Sequence, residues 1–388
     1  MADKEKKLKV LTLCSWYPND YNPTLGNFVQ KHADTIALQN RAVALAIFPS
    51  TIDTSVRLVH TKRSELDELV VYYPKQVGGF ILFRRLKNFF SNRQAFKSGY
   101  RKVLEIMGKP DIVHLNIVYP LGIWALWLKW RFKIPYVVTE NSSGFHVGTE
   151  HAYPKSILRL CRIVLKGASV LMPVSKNLKT SLYNLSGNNS FQIICNVVDE
   201  NLFKLPAKET RSKSRFIHIS TGVDSIKNLS GMIRVINALY LTYQNIHLDI
   251  VSDGDIEYAK QLHGELGNAE CIDFHSTKTT TEIAHMIASN DALLMFSNYE
   301  NFPCVIAESM MSGKPVISSN VNGIPEHVKK ENGILVNPKD EKELGNAIVS
   351  FMNGEIKFDA KQIRSYAMDH FSYGEVGEKF TNIYRSIV

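Results

Sequence analysis

The sequence predicts an α/β protein built from doubly wound parallel sheets in more than one domain. Short apolar runs of strand length alternate with helical segments along the chain, which is the pattern of a parallel sheet covered by helices on both faces. At 388 residues the chain is longer than one hydrophobic core usually supports, so two or three domains are expected. The apolar fraction of 45% and the charged fraction of 21% are typical of a globular protein.

The first half of the chain contains the elements of one such sheet. Residues 8–14 form an apolar run typical of a buried parallel strand, and a loop over 15–26 separates it from a helix predicted over 27–39. Later apolar runs predict further strands over 42–48, 69–73, 112–115, 136–139, 170–174 and 192–194. Trp124, Trp127 and Trp130 lie three apart on one helical side, where core packing is the favoured role.

The second half of the chain shows the same alternation of apolar runs and helical segments. Charges and Pro206 interrupt the apolar pattern over 196–214, which predicts a linker between domains over 1–195 and 215–371. Strands are predicted over 216–220, 246–252, 271–274, 292–296, 315–318 and 334–336. The last segment, 372–388, is predicted to be a helix.

The charge distribution and the cysteine spacing limit which partners and which cellular compartment are expected. Residues 1–195 carry a formal charge of +15 and the remainder −6, so the first half is expected to meet something anionic. The five cysteines are widely spaced, which indicates reduced thiols in a cytoplasm and argues against zinc or a disulfide framework. The N-terminus is charged and no apolar run reaches about 18 residues, which argues against a signal peptide and a membrane span.

A basic, aromatic segment over 80–104 departs from an ordinary covering helix. Arg84, Arg85 and Lys87 are followed by Phe89 and Phe90, and no acidic residue occurs from residue 69 to residue 104. Such an amphipathic segment suits an anionic membrane surface. A solvated helix and a nucleic-acid face are the alternatives, and the nucleic-acid face is disfavoured.

The segment 298–313, NYENFPCVIAESMMSG, carries two carboxylates eight positions apart, Glu300 and Glu308. An apolar run of strand length precedes it, and helix formers follow the break at Pro303 and stop at Gly313. Glu300 is therefore expected in a strand-to-helix loop, with Glu308 about one turn inside the helix. The N–H groups of such a helix start can bind a phosphate or sugar oxygen, although a solvated surface helix has the same spacing.

The longer stretch YENFPCVIAESMMSGKPVISSNVNGIPEHV resembles the sugar-nucleotide signature of retaining glycosyltransferases of group 1, or family 4, type. That signature has two glutamates separated by seven residues, a small-residue helix, Gly-x-Pro-Val-Ile and Gly-Ile-x-Glu, all present here in order. The resemblance implies a GT-B fold: two Rossmann-like doubly wound domains that face a cleft, with the C-terminal helix crossing back onto the first domain.

The resemblance also implies roles for individual residues. It assigns Lys227 to the leaving diphosphate, Glu308 to the ribose hydroxyls and Glu300 to the donor sugar, with Glu326 in support. The remaining donor-binding positions that it implies are Gly26, Asn27, Gly222, Phe302, Pro303, Cys304 and Val305. Two positions depart from the family pattern: Gly222 or Val223 replaces an arginine, and Asn141 replaces a histidine close to the reacting sugar, for which His146 is a possible substitute. Asp253 and Asp255 form an Asp-x-Asp, but relatives carry a Gly-Asp-Gly turn there, so no metal is expected.

The function implied is transfer of a hexose-type sugar from a UDP- or GDP-linked donor, with retention and without metal or other cofactor. The acceptor would be a glycan or lipid-linked glycan in polysaccharide, lipopolysaccharide or capsule synthesis, on the inner face of the cell membrane, with no nucleic-acid partner. Three alternatives stay open: a catalytically weak nucleotide-sugar-binding partner of another transferase, a GT-B epimerase, and a phosphorylase, which is disfavoured because nothing marks a pyridoxal lysine.

Overall fold

The computed structural model describes residues 7–145, 152–206, 213–267 and 270–388. The chain divides into two compact units: unit 1 comprises residues 1–195 and 376–388, and unit 2 comprises residues 196–375. The segment predicted as a linker, 196–214, starts at the first residue of unit 2, and 207–212 of it lie outside the described residues.

Unit 1 contains a seven-stranded sheet in the order β3-β4-β2-β1-β5-β6-β7. All neighbouring strands are parallel except β3, which runs antiparallel to β4 at one edge. Without β3, the order is that of a doubly wound Rossmann-type sheet. The strands are β1 (Lys9–Cys14), β2 (Arg41–Ser50), β3 (Arg57–Arg63), β4 (Leu66–Pro74), β5 (Ile112–Asn116), β6 (Tyr136–Glu140) and β7 (Leu171–Pro173). The helices are α1 (Asn27–Gln39), α2 (Ile81–Met107), α3 (Gly122–Phe132), α4 (Lys155–Gly167) and α5 (Lys176–Ser186), with a 3₁₀ turn over Ser143–Phe145.

Two expectations for unit 1 are wrong. Residues 192–194 form no strand: only Phe191 pairs with Leu171 as an isolated bridge, and hydrogen bonds from Gln192 and Ile194 to β7 do not extend into a ladder. Trp130 is not a core residue, since it is 74% exposed. On the same helix Trp124 is buried and stacks on Phe96.

Unit 2 contains a six-stranded parallel sheet in the order β10-β9-β8-β11-β12-β13, again the Rossmann order. Its strands are β8 (Ser214–Ser220), β9 (Ile246–Ser252), β10 (Ile272–His275), β11 (Ala292–Met295), β12 (Val316–Ser319) and β13 (Gly333–Val336). Its helices are α6 (Asp224–Lys227), α7 (Leu229–Tyr243), α8 (Glu257–Leu266), α9 (Thr280–Ser289), α10 (Cys304–Met311), α11 (Ile324–His327), α12 (Glu341–Met352) and α13 (Ala360–Phe371). All six strands predicted in this half are present.

The last helix, α14 (Tyr373–Arg385), begins in unit 2 and continues into unit 1. Its apolar face packs into unit 1, where the ring of Phe380 lies edge-on to those of His32 and His114. The Tyr384 hydroxyl lies 2.5 Å from Nδ1 of His114, and the Asn40 side-chain amide donates to Thr381 at 2.9 Å. The end of the chain is thus part of the core of unit 1.

The long helix α2 has two different halves. Its buried residues all belong to the second half: Ala95, Phe96, Gly99, Tyr100, Val103 and Met107. The first half and the N-cap residue Phe80 instead present large apolar side chains to solvent. Each of these side chains is about half exposed or more: Phe80, Ile81, Leu82, Phe83, Leu86, Phe89 and Phe90. Within the part of the chain that the structure describes, no helix is long and apolar enough to cross a bilayer.

Candidate functional site

Two loops of unit 2 lie side by side at the carboxyl ends of neighbouring strands. One follows β8 and the other follows β11, and these strands pair in parallel. Asn298 joins the loops, because its backbone N–H donates to the Ile226 carbonyl at 2.7 Å and its side-chain amide donates to the Ser225 carbonyl at 3.1 Å. Open α/β sheets bind their ligands at such an edge.

Lys227 and Glu300 form an ion pair between these loops. The Lys227 ammonium lies 2.5 Å from a Glu300 carboxylate oxygen, and the Ser297 hydroxyl donates to the same oxygen at 2.9 Å. The two side chains are only 15% and 9% exposed. Lys227 is therefore not a solvated surface lysine. A hydrogen bond between two charged groups is strong when both are buried, and removal of either group would leave the other as an unpaired buried charge.

The start of α10 supplies oriented N–H groups next to this pair in sequence. The N-cap residue is Pro303, which makes no side-chain capping hydrogen bond. The backbone N–H groups in the first turn of a helix, here those of Cys304 and Val305, point towards its N-terminal end, where anions bind favourably. Phe302 anchors the turn: its buried ring packs on His327 and Phe371.

Glu308 lies in the second turn of α10, as predicted, and is 6% exposed. This burial excludes the alternative in which the two glutamates merely decorate a solvated helix. Glu326 lies in the short helix α11 and is half-buried.

Gly222 is required by the local backbone. Its φ is +71°, and a Cβ there would lie 2.3 Å from the side chain of Ile256, so the expected arginine cannot occupy this position without a change in the loop. Val223, the other position at which the arginine was expected, is 43% exposed.

A buried polar chain that the sequence did not reveal holds the loop after β8. Nε2 of His218 lies 2.7 Å from the Ser220 hydroxyl, which also accepts from the Gly222 N–H at 3.1 Å. Burial, with Lys227 nearby, lowers the pKa of His218 to about 4, so the ring is neutral at physiological pH.

In unit 1, Gly26 and Asn27 lie at the start of α1, as predicted. Gly26 is the N-cap residue with φ +67°, and a Cβ would lie 2.6 Å from the backbone carbon of Trp16. This close approach explains why glycine is needed there.

Asn141 follows β6, and its N–H donates to Glu140 at 2.9 Å. Glu140, which the sequence did not single out, is fully buried and also accepts from the N–H groups of Val118 and Ser142. Burial raises the pKa of Glu140 to about 7 against the effect of these hydrogen bonds. His146, the proposed substitute for a histidine at Asn141, lies outside the described residues.

Asp253 and Asp255 lie in an exposed turn after β9. Asp255 accepts from the Glu257 N–H at 3.0 Å, an ordinary hydrogen bond at the start of a helix.

Comparison with known families connects this geometry to an enzyme class. Residues 201–369 match the family described as glycosyl transferases group 1, and residues 52–202 match glycosyltransferase family 4. The two matches together extend from residue 52 to residue 369. The chain belongs to the group 1, family 4 type glycosyltransferases.

Individual glycosyltransferases have low sequence identity to this chain. N-acetyl-alpha-D-glucosaminyl L-malate synthase of Bacillus anthracis is 22% identical over 300 residues, which cover 72% of this chain and 75% of the relative. The putative teichuronic acid biosynthesis glycosyltransferase TuaC of Bacillus subtilis is 20% identical over 365 residues, 90% of each chain.

A solved structure shows the glycosyltransferase fold. Anabaena Alr3699/HepE, crystallised in complex with UDP, aligns with a TM-score of 0.72 at 18% identity over 98% of this chain and 100% of that one. With the two Rossmann-type sheets, this likeness confirms the predicted GT-B fold.

Proposed function

We propose that this glycosyltransferase moves a hexose-type sugar from a UDP- or GDP-linked donor to a glycan or lipid-linked glycan, with retention of configuration. The observation that carries the proposal is the position of Lys227 and Glu300, brought together between two strand-to-helix loops directly before the helix that carries Glu308.

Lys227 would stabilise the leaving diphosphate. Breaking the sugar–phosphate bond builds negative charge on the departing oxygens, and oriented positive groups lower that barrier. The Lys227 ammonium has three hydrogens, and one is directed at Glu300, so the others can reach phosphate oxygens. The N–H groups of Cys304 and Val305 would add the positive end of α10, so that transfer needs no metal.

The two glutamates would hold the rest of the donor. Glu308 is buried, and a carboxylate accepts from two vicinal hydroxyls, as a ribose offers. Glu300 would accept from hydroxyls of the sugar while it remains paired with Lys227. In this arrangement neither acts as nucleophile: the acceptor oxygen attacks from the face that the diphosphate leaves, and the leaving phosphate takes the acceptor's proton.

Known proteins support the donor and the biological context. The Anabaena protein with the same fold is crystallised with UDP and also with UDP-glucose. The name of the Bacillus subtilis relative refers to teichuronic acid biosynthesis, which favours synthesis of a cell-surface polysaccharide here.

The first half of α2 supports a membrane-bound acceptor. Phe89 and Phe90 are 52% and 58% exposed, and the neighbouring Arg85 and Lys87 are also exposed. Phe89 borders an apolar groove of about 380 Å³ lined mainly by Trp124, Trp127 and Trp130 of α3. Apolar side chains that can enter a bilayer beside cations that bind its headgroups define an interfacial helix, so we place the enzyme at the inner face of the cell membrane.

The test combines binding and transfer. A thermal-shift screen of UDP and GDP sugars against the full chain should show stabilisation by one donor, because a ligand that binds only the folded state raises the melting temperature. That donor should then be consumed without added Mg²⁺ or Mn²⁺, and NMR of the product should show the anomeric configuration of the donor. Stabilisation without turnover would identify a binding partner of another transferase, and an inverted product would exclude retention.

A further inference from the structure

Three potential metal ligands, His247, Asp249 and Asp273, converge on one face of the unit 2 sheet at its β10 edge, and His275 lies beside Asp249. His247 and Asp249 lie two residues apart on β9, and Asp273 and His275 lie two apart on β10. Residues two apart on a strand point to the same face, and Asp273 pairs directly with Asp249 in the register of the two strands. None of the four belongs to the donor-binding loops.

The distances among their ligand atoms are short. Nε2 of His247 lies 3.2 Å from an Asp273 oxygen and 3.7 Å from Oδ1 of Asp249, and these three atoms lie within 4.8 Å of one another. Nε2 of His275 lies 2.9 Å from the same Oδ1. Ligands about 2.0–2.1 Å from a tetrahedral zinc ion are separated by about 3.3 Å, which is close to these values.

His247 gives independent support. Its side chain is only 8% exposed, yet among the described residues its Nε2 makes no hydrogen bond of acceptable geometry. A buried polar atom normally has a partner, and leaving it without one costs about 1–3 kcal/mol. The atom is directed towards two carboxylates and would be satisfied by a cation between them.

Asp249 is held by neighbours that leave one oxygen for such an ion. Arg215 and Asn290 both donate to its Oδ2, at 2.9 and 3.1 Å, whereas Oδ1 faces the histidines. Such outer contacts orient a ligating carboxylate.

We propose that His247, Asp249 and Asp273 bind a zinc-like divalent ion, with His275 as the fourth ligand. Imidazole nitrogens with carboxylates select zinc over Mg²⁺ or Ca²⁺, which prefer oxygen ligands. Asp273 is 60% exposed and His275 29% exposed, so the ion can enter from solvent. Once bound, it would fasten the edge strand β10 to β9, separately from the transfer reaction.

The test uses the full chain after chelator treatment and dialysis. Calorimetric titration with Zn²⁺ should show one equivalent bound and a raised melting temperature, with no such effect from Mg²⁺, and Co²⁺ should give the visible absorption of a tetrahedral site. Asp273→Asn should weaken Zn²⁺ binding at least about tenfold, as should His275→Gln.

The matched control is Asp255→Asn, which removes an exposed aspartate of the same unit and should leave Zn²⁺ binding unchanged. Because Asp273 is largely exposed, its variant should fold even if a His247→Gln variant does not. Absence of stoichiometric Zn²⁺ binding, or full affinity in Asp273→Asn, would overturn the proposal.

Discussion

The two units share one sheet order but differ in what they place at the carboxyl ends of their strands. In unit 2 these ends carry a buried ion pair, Lys227 with Glu300. In unit 1 the corresponding ends carry a glycine turn at Gly26 and the buried carboxylate Glu140, bound by backbone N–H groups. The scaffold therefore does not determine the chemistry, which lies in the loops that each sheet supports.

The units also differ at the surface. Residues 1–195 carry +15 and the remainder −6, and the exposed half of α2 combines several of those cations with apolar side chains. In the proposed function, unit 2 would bind the donor and unit 1 would face the acceptor and the membrane surface. Each prediction below tests one side of this contrast.

The largest effect is expected from Lys227→Ala. If Lys227 stabilises the leaving diphosphate as proposed, its loss should lower kcat about 100- to 1000-fold, which corresponds to about 3–4 kcal/mol of barrier. The measurement is initial rate at saturating donor, with circular dichroism to show that the fold is kept. Lys260→Ala, which removes a half-exposed lysine of the same unit, is the control; a variant at Lys227 with parental kcat would remove this residue from the reaction.

A loss of similar size, in membrane binding instead of turnover, is expected from a change in unit 1. Replacing Arg84, Arg85 and Lys87 by glutamine should weaken binding to anionic vesicles about 100-fold, since each cation contributes about 1 kcal/mol near the headgroups. Vesicle flotation measures the bound fraction. The control is a triple glutamine variant with the same change in charge, made at three exposed lysines of the same unit: Lys109, Lys155 and Lys179. The membrane assignment fails if the two triple variants float equally.

A smaller effect is expected from Glu308→Gln. It should weaken binding of UDP or GDP about tenfold, because a charged acceptor of ribose hydroxyls becomes a neutral amide. Isothermal titration calorimetry gives the affinity, and Glu257→Gln, at an exposed position of unit 2, should leave it unchanged. Equal affinity in parent and Glu308→Gln would contradict the ribose contact.

The smallest effect concerns stability in acid. The pKa of Glu140 is about 7 in the folded chain, against an ordinary value of 4.5, which we take for the unfolded chain. Between these two pH values the folded state therefore binds a proton that the unfolded state does not. Stability from this group is present below pH 4.5 and is lost as pH rises through 7. Burial lowers the pKa of His32 to about 4 from 6.5, so its contribution has the opposite sign and is lost as pH falls.

Glu140→Gln should therefore make unit 1 lose stability more steeply between pH 7 and 5, by at most about 1.4 kcal/mol per pH unit. Trp16, Trp124, Trp127 and Trp130 all lie in unit 1, so urea unfolding followed by tryptophan fluorescence reports on that unit. Glu105→Gln, at an exposed site, is the control. Parallel pH profiles for parent and Glu140→Gln would contradict the raised pKa.

The sequence predicted most of the fold because buried parallel strands are continuous apolar runs. It failed where that signal is absent: β3 is an edge strand with charged residues and no apolar run. Residues 192–194 have the apolar character of a strand, but the segment forms only isolated hydrogen bonds with β7.

The sequence indicated which loop residues belong to the candidate site, but not which of their side chains contact one another. The Lys227–Glu300 contact joins positions 73 residues apart, and only the adjacency of β8 and β11 brings them together. The residues of the proposed metal site on β9 and β10 likewise show no pattern in the sequence, since only strand register places Asp249 beside Asp273. Glu140 was missed because burial and backbone donors define it, and neither leaves a local pattern.

The path of α14 has a practical consequence for dissecting this enzyme. A fragment that stops at Cys195 would lack Phe380 and Tyr384, whose rings cover His114, and would expose an apolar surface prone to aggregation. An autonomous version of unit 1 should instead carry residues 376–388, grafted behind Cys195 through a flexible spacer. Residues 196–375 would form the complementary fragment, on which the proposed binding of a nucleotide sugar could be measured by itself.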